Sequence, residues 1–118
     1  MKLVVEEPES QALLAGLKGN GPYVTSVVGE IETVRVCRRA NVPAEKVGEV
    51  LDGVALVALD DEVRRLASTA GAVTLRTLDA IHLATALSLG RDLEAILTYD
   101  LRLADAARDA GLAVAAPA

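Results

Sequence analysis

Two short runs constrain this chain most. Val54-Ala55-Leu56-Val57-Ala58-Leu59 is followed by Asp60-Asp61, and Ala95-Ile96-Leu97-Thr98 is followed by Tyr99-Asp100. A segment apolar at every position is expected to be a strand covered on both faces, as strands of parallel sheets are. Tyr23-Val24-Thr25 and Leu112-Ala113-Val114 are two further short strand candidates. The segments between these runs carry helical spacing. Strands alternating with helices predict an α/β fold: three α/β/α layers around a parallel sheet, in one domain over residues 1–118.

The helices can be placed by their punctuation. Residues 8–18 open on Pro8 and carry Leu13, Leu14 and Leu17, and Gly19-Asn20-Gly21-Pro22 stops them. Ser26 fits the cap of a helix over 27–40, whose apolar positions are 27, 28, 31 and 34. Pro43 opens a short helix that Gly53 breaks. Asp60 or Asp61 caps the next, with Val63, Leu66 and Ala67 inward. Thr77 or Asp79 starts a helix with the stripe Ala80, Leu83, Ala84 and Leu87, ended by Gly90. Residues 101–110 form the last helix, ended by Gly111.

Composition narrows the function. The 118 residues include no Trp or Phe, and Tyr23 and Tyr99 are the only aromatics. Base-stacking platforms need several aromatic rings, so RNA-recognition sheets and oligonucleotide-binding barrels are excluded. Seventeen acids against twelve Lys and Arg give a net charge of −5, which argues against a simple electrostatic clamp on phosphates. An acidic chain can still handle nucleic acid through a metal cation. Cys37 and His82 are single, which excludes an intrachain disulfide and multi-Cys or multi-His metal sites. No apolar run approaches the roughly 20 residues of a membrane span. A cytoplasmic, soluble protein is the expectation.

Parallel sheets collect chemistry at the carboxyl ends of their strands, which points to Asp60 and Asp100. Glu32 and Asp79 are two further acids set among apolar positions. Carboxylates in such surroundings are costly to desolvate unless they are paired or bind a cation. Several of them together suit Mg²⁺ or Mn²⁺, and a hard cation suits phosphodiester hydrolysis. Each residue also has a plainer reading. Asp79 can be a first-turn acid favoured by the helix dipole, and Asp60 and Asp100 can be helix caps. Glu32 can pair with Arg35 or Arg39. Thr98 can be an ordinary strand residue. His82, three residues after Asp79, can approach it or be a core histidine.

The strings Leu78-Asp79-Ala80-Ile81-His82-Leu83-Ala84-Thr85-Ala86 and Leu97-Thr98-Tyr99-Asp100-Leu101-Arg102-Leu103-Ala104 decide between these readings. With Thr25-Ser26, Glu32 and Arg35 upstream, they resemble the PIN domain, specifically the VapC-type toxin ribonuclease of bacterial toxin–antitoxin pairs. The resemblance implies a Mg²⁺- or Mn²⁺-dependent endoribonuclease that acts on RNA. It implies a homodimer and a cognate antitoxin that neutralises it. It makes Glu32, Asp79 and Asp100 catalytic metal ligands, and Thr98 the hydroxyl that orders the site. Arg38, Arg39 and Arg102 are candidate phosphate contacts.

One departure stands out. The family opens with a central strand ending in Asp, whereas Lys2-Leu3-Val4-Val5-Glu6-Glu7-Pro8-Glu9-Ser10 resembles the end of the helix after it. The expectation is a sheet one strand short and a site one carboxylate short, as an internal start would give. Lys2-Leu3-Val4-Val5, rich in β-prone valine, can fill part of the gap. A catalytically incomplete partner, acting through dimerisation or antitoxin binding, is the alternative function.

Overall fold

The computed structural model describes residues 2–5, 23–98 and 100–115, the first four as backbone alone. The predicted helix over 8–18, its stop at 19–22 and Tyr99 lie outside the described residues. In chain order the elements are β1 (Lys2–Val5), β2 (Tyr23–Ser26), α1 (Val27–Arg39), α2 (Ala44–Asp52) and β3 (Val54–Val57). They continue with α3 (Asp61–Thr69), α4 (Thr77–Ser88), a 3-10 turn (Gly90–Asp92), β4 (Leu93–Leu97), α5 (Leu101–Asp109) and β5 (Val114–Ala115).

The five strands form one sheet in the order β3-β2-β1-β4-β5, and every neighbouring pair is parallel. β1 sits at the centre, with Val4 opposite Val24 of β2 and Ile96 of β4. The expected gap in the middle of the sheet is therefore filled by Lys2–Val5, the role their valines allow.

Alternation along the strands builds the core. Val24 of β2 and Ile96 of β4 pack with Leu83 and Ala86 of α4 and Leu103 and Ala107 of α5. Their chain neighbours Tyr23 and Leu97 pack together in a separate cluster, against Val54 and Ala115. Ala84, Ala86 and Ala107 are fully buried, so α4 and α5 seat closely with no aromatic bulk between the layers. Among the described residues, no helix is long and apolar enough to cross a membrane.

The 54–59 run behaves differently from its sequence reading. Only 54–57 are strand, and Ala55 and Leu56 are exposed, Leu56 by 48%. The reason is position: β3 is an edge strand, and a run apolar at every residue does not tell a centre from an edge. β4 is buried at four of its five residues, as its run predicts. β5 forms at Val114–Ala115, a little later than the 112–114 expected.

The caps follow local chemistry. Ser26 Oγ accepts from the Gly29 N–H at 2.9 Å, at the start of α1. Asp60 Oδ1 accepts from the Val63 N–H at 2.9 Å and so caps α3. The strand-end rule marks Asp60 as a site candidate, but this bond makes it a structural cap. Replacing Asp60 by Ala should lower stability by about 1 kcal/mol, and by Asn much less. Urea denaturation of the two variants checks this, and equal losses in both would contradict the capping role.

Candidate active site

In an all-parallel sheet every strand ends at the same edge. Here the chain leaves β1 toward β2 and β3 on one side and returns through β4 and β5 on the other. The crevice beyond the carboxyl ends of β1 and β4 is the switch point where such folds place ligands. The candidate residues approach it from three elements.

Thr98 and Asp100 leave β4 directly. Thr98 is 3% exposed, and its Oγ1 accepts from the Asp100 N–H at 3.0 Å, which fixes the turn. Asp100 Oδ1 accepts from the N–H groups of Arg102 (2.8 Å) and Leu103 (3.2 Å), capping α5. Both cap bonds are to Oδ1. Capping and site membership, alternatives in the sequence, are compatible in the structure.

Asp79 lies in the first turn of α4, anchored by the buried stripe Ala80, Leu83 and Ala84. Its helix dipole favours the anion, yet its carboxyl is raised above the usual value of 3.8. Burial is the main cause. Repulsion from Asp100 and Glu32 adds to it, while His82 and Arg76 oppose it. Asp100 and Glu32, the other two carboxylates named from the sequence, thus both bear on Asp79.

Glu32 is carried by α1. Its partner is neither Arg35 nor Arg39: His82 Nε2 stands 2.7 Å from Glu32 Oε1. An ionised carboxylate only accepts, so Nε2–H donates. His82 is 6% exposed. It is therefore the buried helix histidine that its apolar surroundings suggest, and it also ties α4 to α1 across 50 residues. Its spacing from Asp79 was the available signal. Arg76 carried no such signal beyond standing three residues before Asp79. It closes on that carboxylate as the residue capping α4, with no side-chain cap bond of its own.

The donor set is all oxygen and rich in negative charge, the kind that hard divalent cations take. Among the described residues, no three His, Cys, Asp or Glu side chains are gathered tightly enough to form a finished metal cage. Glu32 is drawn onto His82 and one oxygen of Asp100 onto its helix, so side-chain rotation would be needed to close one.

Comparison with known proteins agrees with this layout. A family model described as the PIN domain matches residues 1–109. The chain is 44% identical over 118 residues to Ribonuclease VapC46 of Mycobacterium tuberculosis (strain ATCC 25618 / H37Rv), an alignment spanning 99% of this chain and 91% of that protein. It is 41% identical over 122 residues to Ribonuclease VapC47 of Mycobacterium tuberculosis (strain CDC 1551 / Oshkosh), spanning 98% and 90%. A solved PilT N-terminus domain protein, SSO1118 from the hyperthermophilic archaeon Sulfolobus solfataricus P2, superimposes with a TM-score of 0.64 at 14% identity. That match covers 98% of this chain and 87% of that one. At such low identity it speaks for the fold alone. The family match over most of the chain, together with relatives above 40% identity over nearly all of it, places this chain in the PIN-domain family, among its VapC-type members.

Proposed function

We propose that this chain is an endoribonuclease toxin that hydrolyses RNA phosphodiester bonds with Mg²⁺ or Mn²⁺ held by Glu32, Asp79 and Asp100. The observation that carries the reading is the placement of these acids: Asp100 follows β4 at the sheet's switch point, Asp79 opens α4, and Glu32 is bonded to His82 of that same helix. The ribonuclease names of the VapC relatives support the same chemistry. A bound divalent cation would supply Lewis-acid polarisation of a phosphoryl oxygen and a more acidic water. The chain's own residues do the rest. Thr98 fixes the turn that presents Asp100. The buried stripe of α4 fixes Asp79. His82 holds Glu32 by one oxygen and so sets where the other points. The toxin reading carries with it a cognate antitoxin, a homodimer and a cytoplasmic setting, all drawn from the family resemblance.

A second reading is a catalytically incomplete partner that acts by dimerising or by holding an antitoxin. The unfinished metal cage is what favours it. Cleavage of a labelled RNA under Mn²⁺ titration separates the two. The nuclease reading expects cleavage by the parent chain and a loss of about 100-fold or more in Asp79→Asn and Asp100→Asn, since each removes a charge from the proposed cation site. Asn at 100 keeps the α5 cap, so that variant should stay folded. Unchanged cleavage in both variants would sink the catalytic assignment, and an inactive parent would favour the partner reading.

The His82–Glu32 bond makes a separate prediction. His82→Leu removes the donor, and His82→Gln keeps an N–H of similar reach. The Leu variant should need more Mn²⁺ for half-maximal cleavage, by about tenfold. The Gln variant should recover part of that. Equal metal requirements in all three chains would remove His82 from the site.

Asp79 also links stability to pH. Its folded-state pKa lies above the unfolded value of 3.8. The folded chain therefore keeps a proton that the unfolded chain has released. The contribution to stability is full below 3.8 and is lost as pH rises through the folded value. Without metal, Asp79→Asn should melt above the parent at pH 7, and the gap should close as pH falls toward 3.8. Thermal melts across that range check this. An Asn variant less stable than the parent at pH 7 would contradict it.

A further inference from the structure

Beside the carboxylates lies a cleft of about 690 Å³ that the site chemistry above leaves unused. One wall is α5, which contributes Arg102, Asp105, Ala106, Asp109 and Ala110. The i, i+3, i+4, i+7, i+8 spacing is one face of the helix, so the cleft runs along its length. The other wall is the segment leading into α4, with Leu75 and Arg76. Arg102 lies two residues after Asp100, and Arg76 three before Asp79, so both arginines stand next in sequence to the site acids. The cleft's acids lie farther along α5: Asp105 is one turn beyond Arg102, and Asp109 is seven residues beyond it, about 10 Å along the helix axis.

Charge in this cleft is therefore sorted. An anion is favoured beside Arg76 and Arg102, and groups that donate hydrogen bonds are favoured at the far end, by Asp109. Arg76 and Arg102 are both exposed and, among the described residues, neither forms an ion pair within 4.0 Å. Asp105, by contrast, is engaged by Arg108 at 3.7 Å. A guanidinium presents a planar fork that matches a phosphate in two hydrogen bonds. The chain as a whole is acidic, at −5, and needs local cations wherever it meets a polyanion.

We propose that Arg76 and Arg102 form a subsite for an RNA backbone phosphate neighbouring the one cleaved, with the adjoining nucleotide lying along α5. This rests on the nuclease reading and extends it from the reacting phosphate to the strand beside it. Arg76 acts here as a substrate-binding residue on the wall of the cleft facing α5. The apolar wall of Leu75 and Ala106 suits the face of a base without selecting among bases. The chain reads the strand through its backbone here.

The test separates binding from cleavage. Anisotropy of a fluorescein-labelled single-stranded RNA is followed in EDTA in an Asp79→Asn background, at several salt concentrations. Adding Arg76→Ala or Arg102→Ala should weaken binding by about tenfold. Each should flatten the dependence of log Kd on log salt by about 0.7, the value for one lost phosphate contact on a single strand. Arg76→Lys should keep the slope and recover part of the affinity. Arg65→Ala, on α3 and outside the cleft, should change nothing. Wild-type affinity and slope in both Ala variants would overturn the subsite and leave the nuclease reading standing, if the parent chain still cleaves. A chain that neither binds nor cleaves RNA would overturn both.

Discussion

The constraint on which the rest depends is that all five strands run the same way. Parallel pairing sends every strand out of the sheet at one edge. Each exit then has to be turned into a helix or loop by a group that meets the orphan N–H donors at a helix start. Ser26 does this after β2, Asp60 after β3 and Asp100 after β4. The residues that best serve as caps are short, polar and often acidic. Parallel topology therefore concentrates polar and negative groups along one edge, and an active site can be assembled from residues that the fold already requires. Asp100 illustrates this, because it caps α5 through Oδ1 while its charge also bears on Asp79.

Concentrating carboxylates has a cost that falls unevenly. Asp60 belongs to the exposed edge strand and stays in water. Asp79 is set against the packed interior with Asp100 and Glu32 nearby, and its anion is disfavoured. Two features limit that cost: the first-turn position of Asp79 in α4, and the neighbouring side chains of His82 and Arg76. His82 has a second task, since it holds Glu32 on α1. One buried ring of α4 therefore holds an acid of α1. A side chain so placed limits how far α1 and α4 can shift apart without losing a bond of 2.7 Å.

What could be read from the sequence divides along the same line between local and distant chemistry. The caps at Ser26, Asp60 and Asp100 were legible because the donor and the acceptor lie within three residues of each other. The buried stripe of α4 was legible because helical spacing repeats it. The exposure of Leu56 was not legible, because the apolar run carries no mark of its strand's place in the sheet. The valines of Lys2–Val5 let that segment fill the central place, but its pairing with β2 and β4 far along the chain was not legible. The His82–Glu32 bond joins residues 50 apart, and only the i+3 spacing from Asp79 hinted at it. Arg76 gave still less, because its importance comes from where the 71–76 segment lies against α5.

The net charge takes on a different meaning once the charges are placed. At −5 the chain repels a polyanion at long range, and at physiological ionic strength that repulsion is screened beyond about 8 Å. What governs an RNA strand is then the sign of the groups it touches. On the proposed reading those groups are the site carboxylates with their cation, the guanidiniums of Arg76 and Arg102, and the acids Asp105 and Asp109 of the same cleft. On the reading proposed above, a strand would be held where a cation and the two arginines act together, with acidic side chains on either side of them. An acidic protein can in this way hold a nucleic acid weakly overall and yet in one register. Selectivity of position follows from the repulsive surroundings as much as from the attractive pair.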